Sequence, residues 1–164
     1  MENKGKVFER EFISSFRNDI FTYRLKDSSS SWGNDKSNIK SRFTSKNICD
    51  FIVYSYSNND NKGTLFLLEL KSIQGKSCPF KNLKLHQINS LYIESKKAGV
   101  EAYFIFNFRS YNNQTFAVTA DKIYDFYNNS NHKSFSLDWC KENGIFINCK
   151  LKRVRYKYDI FFVN

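Results

Sequence analysis

The chain is short of acid, histidine, proline and long apolar runs, and each shortage excludes something. Asp and Glu number 16 against 26 Lys and Arg, a formal net charge of +10. That imbalance favours a polyanionic partner, either nucleic acid or an anionic membrane surface. No apolar run approaches the roughly 18 residues that a membrane span needs. No basic amphipathic helix of the kind that lies on a membrane is evident either. Met1-Glu2-Asn3-Lys4-Gly5-Lys6 leads into a charged segment without an apolar core, so no signal peptide is expected and a cytoplasmic protein is. Only two His are present, and Cys49, Cys78, Cys140 and Cys149 form no C-x-x-C pair, which is poor material for a zinc site. Free thiols are the default in a cytoplasmic chain. Pro79 is the one proline; with the abundance of Asn, Lys and Ile, this is the composition of an AT-rich genome.

What the chain does have is aromatic volume. Seventeen Phe and ten Tyr, within a hydrophobic share of 41%, argue against global disorder. The length of 164 residues predicts one domain over 1–164 with one good core. Phe8, Phe12 and Phe16 recur at helical spacing, with Ile13 and Ile20 near the same stripe, predicting a helix over Lys4–Asn18. Glu9 lies at the edge of that stripe. Its position fits a surface glutamate beside Arg10 or a carboxylate leaning over the core. Asp27 to Lys46 has no period and reads as a loop or arm. Lys36, Lys40, Arg42 and Lys46 make it basic, and Trp32 and Phe43 add flat faces. Charge for phosphates and rings for bases suit nucleic acid; a solvated loop with one anchoring Trp fits equally well. A second helix is predicted over Leu83–Ala98, closed by Gly99, with shorter ones over Ala120–Tyr127 and Phe135–Glu142. From Lys150 to Val163 cations alternate with aromatics in an extended basic tail. The fold class is α/β, a mixed sheet of Phe21–Leu25, Ile48–Tyr54, Leu65–Lys71, Ala102–Phe108 and Phe116–Thr119 flanked by helices.

The stretch that stands out is Leu65-Phe66-Leu67-Leu68-Glu69-Leu70-Lys71-Ser72. It is short, apolar and bounded by Gly63 and Gly75, as a strand is. Residues two apart on a strand share a face, so Glu69 and Lys71 point one way and Leu68 and Leu70 the other. Charges on so apolar a strand are costly to bury without a partner. Cys49-Asp50-Phe51-Ile52-Val53-Tyr54 supplies a second strand with an acid near its start. Ser55 to Gly63, rich in turn residues, joins the two as a hairpin. Asp50 followed by Glu69-x-Lys71 is the spacing of a metal-dependent nuclease core. A half-exposed strand carrying a surface ion pair has the same string.

Taken in order, several stretches resemble the RecU family of Holliday-junction resolvases, which share the restriction-endonuclease-like core. Gly5-Lys6-Val7-Phe8-Glu9 is similar to that family's N-terminal G-K-x-F-E helix. Cys49-Asp50-Phe51 is similar to its aspartate strand, and Glu69-Leu70-Lys71-Ser72 to its E-x-K strand. Pro79-Phe80-Lys81-Asn82-Leu83 with His86-Gln87-Ile88 resembles its P-x-K-N and H-Q-I segment, and Tyr103-Phe104-Ile105-Phe106 the strand that follows. The H-Q segment together with E-x-K is far more specific than either alone. The segment Asp27–Lys46 stands where the family has a protruding stalk, with little of its sequence recognisable.

The resemblance implies a Mg²⁺-dependent endodeoxyribonuclease, with Mn²⁺ as a possible substitute, that resolves four-way DNA junctions by symmetric nicking. Two active sites related by a two-fold axis imply a homodimer. Asp50 and Glu69 would supply hard oxygen ligands, which Mg²⁺ prefers, and Lys71 would orient the attacking water and offset charge. Glu9 and Gln87 would complete the catalytic set. Lys36, Lys40, Arg42, Lys46, Lys81, Lys152, Arg153 and Arg155 are the candidate DNA contacts. The implied owner is a bacterium or a phage. A duplex or fork nuclease on the same core, and a non-catalytic DNA-binding protein, are the alternatives.

Overall fold

The computed structural model describes residues 3–25, 46–57 and 61–160. In chain order it contains α1 (Lys4–Ile13), β1 (Phe21–Arg24), β2 (Phe51–Ser57), β3 (Lys62–Ile73), β4 (Ser77–Pro79), a 3-10 turn (Phe80–Asn82), α2 (Leu85–Glu94) and β5 (Val100–Phe108). There follow β6 (Gln114–Thr119), α3 (Ala120–Asn129), β7 (Ser134–Ser136), α4 (Leu137–Asn143), β8 (Ile145–Ile147), β9 (Cys149–Lys152) and β10 (Arg155–Tyr158). Six strands form one mixed sheet in the order β1-β2-β3-β5-β6-β8. β3 and β5 are parallel, because α2 carries the chain back between them, and the other pairs are antiparallel. The expected α/β class, a mixed sheet flanked by helices, is the one observed.

Side-chain alternation divides the core into two. Leu67, Phe104, Phe106 and Phe116 face α2, α3 and α4, where Ile88, Leu91, Ile123 and Cys140 complete the packing. Phe51, Val53, Phe66, Leu68, Leu70 and Ile105 face α1. The helical stripe of α1 does what its spacing predicts: Phe8 and Phe12 are buried and stack in tilted and edge-on contacts with each other and with Tyr158. β3 is buried without interruption from Phe66 to Leu70, which is how a central strand covered on both faces reads. One glycine is needed for close packing: a Cβ on Gly144, where α4 ends, would stand 2.7 Å from the Cys140 carbonyl.

Several boundaries differ from the expected ones for identifiable reasons. α1 stops at Ile13 rather than running to Asn18. The hydroxyls of Ser14 and Ser15 both donate to the Glu11 carbonyl, at 2.9 and 2.8 Å, and so replace the next helical bond. α2 begins at Leu85, since Leu83 is extended, and ends at Glu94. Ser95 turns the chain there with a 2.8 Å bond to the Tyr92 carbonyl, and the following turns reach Gly99 at φ +76°. Leu85, within the predicted helix, is exposed. The loop Gln74–Asn82 contains β4, which pairs with β7. The C-terminal stretch is extended as expected but folds on itself, β9 against β10, and docks on α1.

Candidate active site

β3 outruns its neighbour. The β2–β3 ladder ends at Phe51 opposite Leu68, leaving the last turn of β3 without a β2 partner. One residue beyond, the Asp50 N–H still donates to the Leu68 carbonyl at 3.0 Å, while the Asp50 carbonyl is taken by the N–H of Leu25 at 2.9 Å. The next ladder bond is made by the side chain instead: the Leu70 N–H donates to Asp50 Oδ2 at 2.8 Å. A backbone bond thus fixes the Asp50 carboxylate beside β3, and the strand pairing sets its distance from Glu69.

Glu69 projects from β3 toward α2 and is 1% exposed. Both of its oxygens are held. Lys71, two residues along and on the same face, puts Nζ 2.6 Å from Oε1. Gln87, buried on α2, donates from Nε2 to Oε2 at 2.7 Å. Burial pushes the Glu69 pKa up from 4.5 to about 7, and the nearby Asp50 charge pushes in the same direction, while Lys71 and Lys84 pull it down. Burial works to lower Lys71, but Glu69 and Asp50 hold its ammonium above the ordinary lysine range. Cys49 lies buried against the acids; burial first, then Glu69 and Asp50, pushes its thiol up to about 12, so it is inert packing.

The donor set fits a hard divalent cation. Two carboxylates repel each other in a site of low polarity, and the Oε1 of Gln87 is buried without a hydrogen-bond partner. An orphaned hard oxygen beside two acids is an arrangement that Mg²⁺, or one of its retained waters, would satisfy. Among the described residues no group of three or more His, Cys, Asp or Glu side chains is gathered as a metal-binding cluster.

Of the sequence candidates, Asp50, Glu69, Lys71 and Gln87 come together. Glu9 is on the other face of the sheet, on α1, where Arg24 grips its Oε2 through Nε and a terminal nitrogen, both at 3.0 Å. Arg24 pairs with Phe51 in the β1–β2 ladder, so Glu9 stands at the end of β2 where Asp50 lies. Lys46 and Lys81 are exposed, as are Lys152, Arg153 and Arg155 on the β9–β10 hairpin; Lys36, Lys40 and Arg42 lie outside the described residues. Lys84 was not singled out by the sequence, yet its charge reaches Glu69. Its position three before Gln87, at the start of α2, was the available signal. His86 sits 3.3 Å from the Asn47 carbonyl and tethers the segment before β2.

A family model described as "RecU: Recombination protein U" matches residues 28–160, most of the chain. The chain belongs to the RecU family. Comparison with curated proteins finds no match. RecU membership implies a Holliday-junction resolvase acting in DNA recombination. The matched span holds Asp50, Glu69, Lys71 and Gln87; α1 with Glu9, and β1 with Arg24, precede it. No helix among the described residues is long and apolar enough to cross a membrane.

Proposed function

We propose that this RecU protein is a Mg²⁺-dependent endodeoxyribonuclease that resolves four-way junctions by paired, symmetric nicks. The observation that carries the reading is the convergence of Asp50, Glu69, Lys71 and Gln87 at the end of β3. Asp50, Glu69 and the Gln87 Oε1 would hold the ion, with Mn²⁺ able to replace it. When bound, the ion lowers the pKa of water and shields charge on the phosphate under attack. Asp50 keeps its orientation through the Leu70 N–H. Glu69 must be ionised to serve as a ligand, and its Oε1 then holds the Lys71 ammonium in the site, from which Nζ would face the attacking water or the scissile phosphate. Gln87 fixes the Glu69 carboxylate from the α2 side. Glu9, held by Arg24, supports the Asp50 end of the site. Lys46, Lys81 and the cations of residues 36–42 and 152–155 hold phosphates, which positions DNA without reading sequence. Two such sites in a homodimer, in the cytoplasm of a bacterium or a phage-infected cell, would cut opposite strands.

The test is cleavage of a labelled mobile four-way junction and a matched duplex, with Mg²⁺ and with EDTA, by wild type and Asp50→Asn. Nicks on the junction alone, lost with EDTA and in the variant, are expected. Equal cutting of both substrates would make it a duplex nuclease on the same core. Tight binding without cleavage in either metal would make it a DNA-binding protein.

A further inference from the structure

The β9–β10 hairpin is arranged in a way that its own fold does not explain. Its register places Lys150 opposite Lys157 and Lys152 opposite Arg155. Alternation puts these four on one face, while Cys149, Leu151, Tyr156 and Tyr158 lie on the other. Like charges directly across a ladder are destabilising. None of the four has an acidic partner within salt-bridge distance among the described residues; three of them, Lys150, Lys152 and Lys157, line a cavity of about 230 Å³ beside the strands, where Asp159 is the one acid against three cations. The two cationic rungs are about 6.7 Å apart along the strand, a spacing that suits neighbouring phosphates of one nucleic-acid strand.

The base of the hairpin is anchored and the tip is bare. Tyr158 is buried against Phe8 and Phe12, and its N–H donates to Ser15 Oγ at 3.0 Å. At the tip, Arg153 takes φ +58° in a two-residue turn, and Val154 is 87% exposed. The tip lies by the C-terminal ends of β3 and β5, on the α1 side of the sheet, whereas Glu69 meets α2 on the other side. Val154 lines a cavity with Arg109, and the Arg109 N–H bonds the carbonyl of Ile73 at the end of β3. That cavity also holds Lys4 and, against them, the buried Glu11. The Arg109 Nε is buried without a partner.

We propose that this hairpin is a strand clamp with an apolar wedge. The Lys150–Lys157 and Lys152–Arg155 rungs track the phosphates of one DNA arm, and Val154 packs against the base pair at the branch point. Apolar side chains at the tip of a cationic element do this elsewhere by entering a base step, and the open centre of a junction presents a base-pair face at little unstacking cost. The inference rests on the branched-DNA reading above.

The test uses the full chain in EDTA, with a four-way junction carrying 2-aminopurine at the branch point and a duplex control, over a series of salt concentrations. Lys152→Gln/Arg155→Gln is expected to weaken binding of both DNAs about tenfold and to lower the salt slope by about two. Val154→Ser is expected to keep the slope and lose most of the fluorescence rise on the junction. Thermal melting of each variant within a few degrees of wild type establishes that the hairpin is still docked. Wild-type affinity and slope in the double variant would overturn the clamp, and a full fluorescence rise in Val154→Ser would overturn the wedge. If wild type cuts no junction in Mg²⁺, the resolvase reading fails whatever the hairpin does. If it cuts, and both variants bind and cut as wild type does, the hairpin proposal alone fails.

Discussion

The protein handles charge in two opposite ways. At Glu69 a carboxylate is buried and both of its oxygens are held, by Lys71 and Gln87. On the β9–β10 hairpin, cations are exposed and set against one another, with Asp159 nearby but no ion pair to any of them among the described residues. A buried ion pair is weak evidence for stability, because desolvation consumes much of the attraction. An exposed pair of like charges is mildly unfavourable, and salt screens it. Neither arrangement is what stability alone would select. On the proposed reading the first serves a small hard cation and the second a polyanion, and the difference separates chemistry from substrate grip.

The largest effect that sharpens this contrast is expected at Lys71. Lys71→Met should reduce junction cleavage by about 10³ or more, the scale of losing a transition-state donor, while junction binding in EDTA stays within about twofold. Electrophoretic mobility shift and single-turnover cleavage measure the two halves. A parallel loss of binding and cleavage would mean that Lys71 grips DNA as the hairpin does.

Next comes the pH dependence of cation binding. Glu69 must be ionised to ligate, and its pKa is about 7. Mg²⁺ affinity should therefore rise about tenfold per pH unit below 7 and level off above 8, as read by isothermal calorimetry. The stability of the metal-free protein should move the other way. An acid whose folded pKa is raised holds a proton that the unfolded chain releases. Its contribution to stability is therefore greatest below pH 4.5 and falls as pH rises through about 7. A urea midpoint that climbs over pH 5 to 7.5, in a comparison of wild type with Glu69→Gln, would contradict this.

Gln87→Leu is expected to have a middling effect. It removes a hydrogen bond to a buried charged group, with a cost of about 1.5–3 kcal/mol, and should lower the melting temperature and cut cleavage about 10–100-fold. Ser15→Ala should have the smallest effect. It frees the Tyr158 N–H at the root of the hairpin at a cost of about 1 kcal/mol, and should weaken DNA binding slightly with cleavage per bound complex unchanged.

Much of this site was legible in the chain because period-2 alternation is a local property. Glu69 and Lys71 had to share a face once Leu65–Ser72 was a strand, whereas His86-Gln87 stood out only through the resemblance to the RecU family. What was not legible depended on partners far away in sequence. β8 and the β4–β7 pair are three residues long, too short for a periodic signal, and each exists through its pairing partner. The role of Asp50 as a stand-in for a backbone acceptor follows from Leu25 occupying its carbonyl, which no string shows. The opposed cations of the hairpin were visible as a basic tail, but not as rungs, because a register needs the turn at Arg153 and Val154. The end of α1 was missed because two serine hydroxyls compete for one carbonyl.

The central claim is that Asp50 and Glu69 form a cation site at the end of β3. Titration of Mn²⁺ into the wild-type protein, followed by electron paramagnetic resonance, tests it without DNA or turnover. The account predicts saturable binding at neutral pH that is lost in Asp50→Asn and in Glu69→Gln, and that Mg²⁺ competes away. Undiminished Mn²⁺ binding in both variants would contradict it.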